Sequence, residues 1–132
     1  MDRQLAARAG AVFAGGFLGT GARFGVLELV GHEVVALAAV NLLGCLALGL
    51  ISGGYGQRVT VLRAFLAIGG VAAFTSWSSL ALQGVAGPGS VAVVVAEVAV
   101  GVAMAGLGHL VALRTLRRRD GAAAPLPPGV GR

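Results

Sequence analysis

The sequence predicts an all-α membrane protein with four transmembrane helices, the third of them broken. Three observations lead there. Of the 132 residues, 57% are hydrophobic and 11% charged, and the mean hydropathy is +0.90, whereas soluble domains carry about 25% charged residues. The apolar residues are gathered into four runs, each long enough to cross a bilayer, for which about 20 residues suffice. The third run contains no charge, yet its middle reads Thr75-Ser76-Trp77-Ser78-Ser79. Lipid offers hydroxyl and indole groups no hydrogen-bond partner, so loosened backbone there belongs inside protein or along a path for an ion or substrate. Gly69 and Gly70 lie shortly before and weaken a continuous helix. The implied activity is transport.

The first run extends from about Leu5 to Val30. Asp2, Arg3 and Arg8 before an apolar stretch resemble a signal peptide. Arg23 and the continuing hydrophobicity, without a small-residue cleavage site, predict a retained helix instead. The second run, Val34 to Gly53, carries no charge, and the third is Ala64 to Val85. The fourth runs from Ser90 to about Leu113 and is interrupted by Glu97. Residues 31–33 and 84–89 make short loops, and 53–63 a longer one. This predicts a transmembrane domain over residues 1–113, then an Arg-rich juxtamembrane end and tail over 114–132. From Asp120 onward, Ala, Gly and Pro predict disorder.

Charge sets the orientation. The chain has ten arginines, no lysine and five acids, giving a formal +5. Four spans place both termini on one side, where Arg3, Arg8, Arg58, Arg63, Arg114, Arg117, Arg118, Arg119 and Arg132 then gather. The opposite loops hold no Arg or Lys. The positive-inside rule therefore puts both termini in the cytoplasm of a multi-pass cell-membrane protein. The high pI, which elsewhere suggests nucleic acid, is read here as topology. Cys45 is the only cysteine, which excludes an internal disulfide.

Three polar residues fall inside the spans. Asn41 lies mid-run, and its amide requires partners or water at that depth. A hydrogen bond to a neighbouring helix and an amide facing a pore both satisfy that need. Small residues dominate the helical stripe through positions 41, 44, 45, 48, 49 and 52. Arg23 follows the first of two GxxxG spacings, Gly15 with Gly19, and lies inside the second, Gly21 with Gly25, a pattern suited to close helix approach. It reads either as an anchor that snorkels to the outer interface or pairs with Glu28, or as an attractor for an anion. Glu97 is the most expensive residue, since an acid near the bilayer centre costs about 2.5–3.5 kcal/mol. It shares a face with Val93, Gly101, Met104 and Gly108 and should look into the bundle or toward water. A neutral acid hydrogen-bonded to a neighbouring helix is the plain alternative. His109 reads as interfacial. Neither a nucleophile–base pair nor a phosphate loop nor a His/Cys/acid metal cluster is present, so no enzyme is predicted.

Three stretches together resemble a known family. They are Gly15-Gly16-x-x-Gly19-x-x-Ala22-Arg23-Phe24, then Leu37-Ala38-Ala39-Val40-Asn41-Leu42-Leu43-Gly44, then Gly69 to Leu80 around Thr75-Ser76-x-Ser78. Their order and spacing resemble the Fluc (CrcB) fluoride channels over about residues 10 to 110. The resemblance implies an antiparallel two-subunit channel that exports fluoride passively through two narrow paths. It also implies a central structural sodium ion held by backbone carbonyls, which fall here on Ala72 and Thr75. The implied pore residues are Asn41, Trp77, Ser78, Leu80 and Glu97, with Arg23 structural and Val93 on the same fourth-helix track.

Several positions depart from that pattern. Ala72-Ala73 stands where the family usually has two glycines. Leu80 offers no aromatic edge and Val93 no hydroxyl. An ionised Glu97 would repel fluoride, whereas a protonated one would donate to it. These departures, with the one-sided arginines, predict an antiparallel dimer with an oppositely oriented homologue. Two other functions remain open: a small four-helix proton-coupled cation or drug exporter using Glu97, and a structural subunit without transport of its own. Such exporters place their acid in the first helix, where this chain has Arg23.

Overall fold

The computed structural model describes residues 2–56, 58 and 60–122, with side chains described to residue 118. Helix α1 covers Arg3–Val30 and α2 covers Glu33–Tyr55. The third spanning segment is composite: α3 (Val61–Arg63), a π-helix (Ala64–Val71), α4 (Ala72–Phe74) and α5 (Trp77–Gly84). Helix α6 covers Ser90–Ala122. Four segments, Arg3–Val30, Glu33–Tyr55, Val61–Gly84 and Ser90–Arg118, are long and apolar enough to cross a membrane.

The ends follow from local chemistry. Asp2 accepts a hydrogen bond from the Gln4 amide at 3.2 Å and caps α1. Gly31 closes that helix at φ 66°, a conformation that favours glycine, donating its N–H to the Leu27 carbonyl. Thr60 caps α3 through the Arg63 amide at 3.1 Å. Ser90 ties the start of α6 to the end of α5 through the Gly84 carbonyl, at 2.8 Å. Helix α6 continues nine residues beyond Leu113, where the hydrophobic run alone places its end. Leu116 and the arginines are good helix formers that need no lipid to stay helical, so Asp120 to Ala122 belong to α6. Residues 123–132, the rest of the expected tail, lie outside the described residues.

Inside the third segment the backbone departs from α geometry. The Ala72 amide reaches back to the Ala67 carbonyl, the five-residue spacing of a π-turn. Thr75 and Ser76 are extended, at ψ 162° and 93°, between helical Phe74 and Trp77. Thr75 Oγ1 donates back to the Val71 carbonyl at 3.2 Å.

The bundle forms around two close helix pairs, α1 with the π-helix and α2 with α6. Small residues permit both approaches. Gly15 and Gly19 lie against Phe65, Gly69 and Gly70 so tightly that an added Cβ would strike the carbonyls of Phe65 and Gly70. Gly49 and Gly53 meet Ala105, His109 and Ala112 in the same way, and Gly108 meets Leu46. The core is correspondingly small-residue: Ala36, Leu37, Val40, Ala64, Leu80 and Ala112 are buried, with Ser76. Large apolar side chains point outward, among them Phe13 at 80% and Phe17 at 76% exposure, as expected where lipid or another subunit supplies the apolar surroundings.

Gly19→Val is expected to destabilise the bundle by about 1–3 kcal/mol, since the added atoms must displace backbone. Gly21→Ala, with nothing within 4 Å of the new Cβ, should leave stability equal or slightly raised. Denaturant unfolding in detergent compares the two, and equal losses would refute the close α1 contact.

Candidate functional site

The site begins with a displaced amide. Because Ser76 is extended rather than helical, its N–H points away from the ladder of the preceding turn and donates to Asn41 Oδ1 on α2 at 2.8 Å. An amide N–H can only donate, so the atom facing it must be the side-chain oxygen. Asn41 Nδ2 then faces α6, where it donates to Glu97 Oε1 at 3.1 Å. One asparagine thus joins α2, the extended residues of the third segment and α6. Such interhelical bonds contribute about 1 kcal/mol each; here they also set which way the amide points.

Arg23 reaches the same place from α1. Its Nη1 donates to the Thr75 carbonyl at 3.4 Å, and its guanidinium lies 5.9 Å from the centroid of the Phe24 ring. Ser76 is buried, and its hydroxyl pairs with Ser79 Oγ at 2.7 Å while capping α5 through the Ser79 amide. Gly44, one turn along α2 from Asn41, leaves just enough room for the Thr75 methyl, which an added Cβ would strike.

Beside this cluster, between α2, the third segment and α6, lies a cavity of about 410 Å³, which Arg23 and Ser79 do not line. Asn41, Thr75, Ser76, Trp77, Leu80 and Glu97 line it, with Cys45, Gly101 and apolar side chains such as Leu48 and Val71. Leu80 is buried, and Trp77, at 73% exposure, stands at its open edge. Ser78 is exposed and not part of the lining; its hydroxyl lies 3.5 Å from that of Ser76. Val93 is exposed and also outside the cavity. Ala72 is exposed and, unlike Ser78 and Val93, lines the cavity. Of the residues named from the sequence, Arg23, Asn41, Thr75 and Glu97 are therefore brought together, with Trp77 and Leu80 beside them.

Two members of the cluster escape a reading by residue type. Ser76 acts through its backbone amide, which no side-chain chemistry announces, although its place beside Thr75 in the hydroxyl run is a signal. Gly44 matters only for the Thr75 methyl opposite. Among the described residues, no three His, Cys, Asp or Glu side chains are grouped to hold a metal.

The family model described as CrcB-like protein, Camphor Resistance (CrcB), matches the chain over residues 10–109. No curated protein and no solved structure gives a significant match.

Proposed function

Because the chain belongs to the CrcB-like family, we propose that it is a subunit of a fluoride-specific channel through which fluoride leaves the cytoplasm passively. One observation carries this reading: the three stretches that resemble the fluoride channels converge on Thr75 and Ser76. Arg23 of the first holds the Thr75 carbonyl, and Asn41 of the second holds the Ser76 amide. In this reading Thr75 and Ser76 are the break in the third transmembrane helix, tolerated at membrane depth because side chains on other helices satisfy the freed backbone groups.

Asn41 offers the conducting path an amide donor, with Trp77, Leu80, Ser78 and Glu97 as the other pore residues. A small, strongly hydrated anion needs such donors to replace water, much as carbonyls replace water around a cation. Arg23 keeps Thr75 in place and adds positive charge nearby.

The reading includes a structural sodium ion at the Ala72 and Thr75 carbonyls, shared with a second subunit. The residues fit that role in part. The Ser76 amide, which a continuous helix would give to Ala72, goes to Asn41 instead, so the Ala72 carbonyl, on an exposed residue, keeps only a long 3.4 Å hydrogen bond from Thr75 Oγ1. Thr75 O already carries the Arg23 guanidinium. Two carbonyls from one chain are too few to replace a hydration shell, so a second subunit must complete the set. The ion would supply a fixed positive charge where the chains meet.

Efflux from liposomes holding the purified assembly tests the proposal. Fluoride should leave, with chloride and organic cations retained. Proton-linked cation movement without fluoride efflux would favour the exporter, and no flux of any kind a structural subunit.

A further inference from the structure

Of the polar side chains bordering the 410 Å³ cavity, most are already committed. Thr75 Oγ1 donates to the Val71 carbonyl at 3.2 Å, Ser76 Oγ pairs with Ser79, and Trp77 stands at the exposed edge. The Asn41 amide is the donor that faces α6 across the cavity, and Glu97 Oε1 occupies it at 3.1 Å. The orientation is not free to reverse, because the Ser76 N–H requires an oxygen opposite. A carboxyl oxygen and a small anion seek the same kind of partner, an N–H donor in a dry site. Asn41 keeps a second N–H on the same nitrogen. An anion there would lie within about 6 Å of the Glu97 oxygen, the sum of two N–H···acceptor distances of about 3 Å.

We infer that the Glu97 carboxyl is a tethered occupant of the anion position at Asn41, and that it throttles anion passage along this subunit's cavity. The inference rests on the fluoride-channel reading for the identity of the anion, but its geometry does not. Small surroundings make the device effective: Gly101 lies one turn from Glu97 on α6, with Cys45 Sγ only 3.1 Å from where its Cβ would be. Glu97 therefore lines the path as a competitor for the Asn41 donor rather than as a relay for anions.

The test uses the full chain with whatever subunit it co-purifies with, in lipid vesicles. The Asn41 side-chain amide is followed by nitrogen NMR during addition of potassium fluoride, then of potassium chloride, and efflux is measured on the same samples. In wild type the Asn41 signal should barely respond. In Glu97→Ser it should shift on fluoride addition, and fluoride efflux should rise at least about tenfold, the effect of about 1.4 kcal/mol on a barrier. Glu97→Asp, which withdraws the carboxyl by one methylene, should give an intermediate response and remains informative if the serine variant fails to assemble. A wild-type signal as responsive as that of the variants overturns the inference, as does an aspartate variant identical to wild type. If Asn41 in the serine variant answers chloride as readily as fluoride, the occupant stands and the fluoride reading falls. If it answers neither, the occupant falls whatever the efflux shows.

Discussion

Replacing Asn41 by alanine is expected to lower fluoride efflux at least about tenfold while the chain still inserts as four helices. Asn41 joins three elements of the site: from α2 it accepts from the Ser76 amide and donates to Glu97 on α6. Alanine removes the donor that an anion would use. It also leaves the amide of buried Ser76 without a partner, a loss of about 1–3 kcal/mol, and each 1.36 kcal/mol on a barrier is about tenfold in rate. The helix pairs themselves depend on Gly15, Gly19, Gly49 and Gly53, which are untouched, so insertion should survive. Asn41→Asp is the sharper comparison. It keeps an oxygen for Ser76 but sets a second oxygen against Glu97 Oε1, so it should lose efflux although its shape is nearly unchanged. Liposome efflux, with assembly checked by size-exclusion chromatography, measures both. The fall is most easily read in a Glu97→Ser background, where the starting rate is expected to be higher. Unchanged efflux in a correctly assembled Asn41→Ala channel would remove Asn41 from the conducting path.

Expressed alone, the chain is expected to show no channel activity above background, because we propose as its functional unit an antiparallel dimer with an oppositely inserted homologue. A homodimer of that kind needs one sequence to insert both ways, which requires a near-even balance of Arg and Lys across the membrane. Here nine arginines lie on one predicted side and none in the opposite loops. Inverting the chain would carry Arg58, Arg63 and the Arg114–Arg119 cluster across the bilayer. The exposed arginines at 114, 117 and 118 sit on the continuing α6 helix, so they form a compact charged end. Reporter fusions at the C-terminus should read cytoplasmic in nearly all copies. Co-expression with a homologue of opposite arginine bias should raise fluoride efflux at least about tenfold over this chain alone, equivalent to about 1.4 kcal/mol. An active antiparallel homodimer purified from this chain by itself would refute the pairing.

How legible each feature was depended on what creates it. The four spans are visible because lipid imposes a length and an apolar composition that no loop can imitate, and the turns at Gly31 and Gly84–Gly89 interrupt them. The arginines carry the expected orientation, and the polar outliers Arg23, Asn41 and Glu97 are conspicuous because their neighbours in sequence are apolar. The resemblance over three short motifs named a family that the match over residues 10–109 bears out.

Partnership between helices is a different matter. Nearly every face of these spans is apolar, so periodicity records the presence of lipid and says little about which face meets which helix. The two GxxxG spacings in α1 show the limit: Gly15 and Gly19 press against the π-helix, whereas Gly21 and Gly25 have nothing within 4 Å. Sequence alone determined the number of helices long and apolar enough to span and the residues whose polarity demands a reason. Only the tertiary structure decided that Asn41 and Glu97, 56 positions apart, share a hydrogen bond, and that Ser78 and Val93 stand outside the cavity. It also decided that a backbone amide turns the asparagine toward the acid. A donor freed by two extended residues has no signature in side-chain chemistry, and its direction exists only once three helices have been brought together.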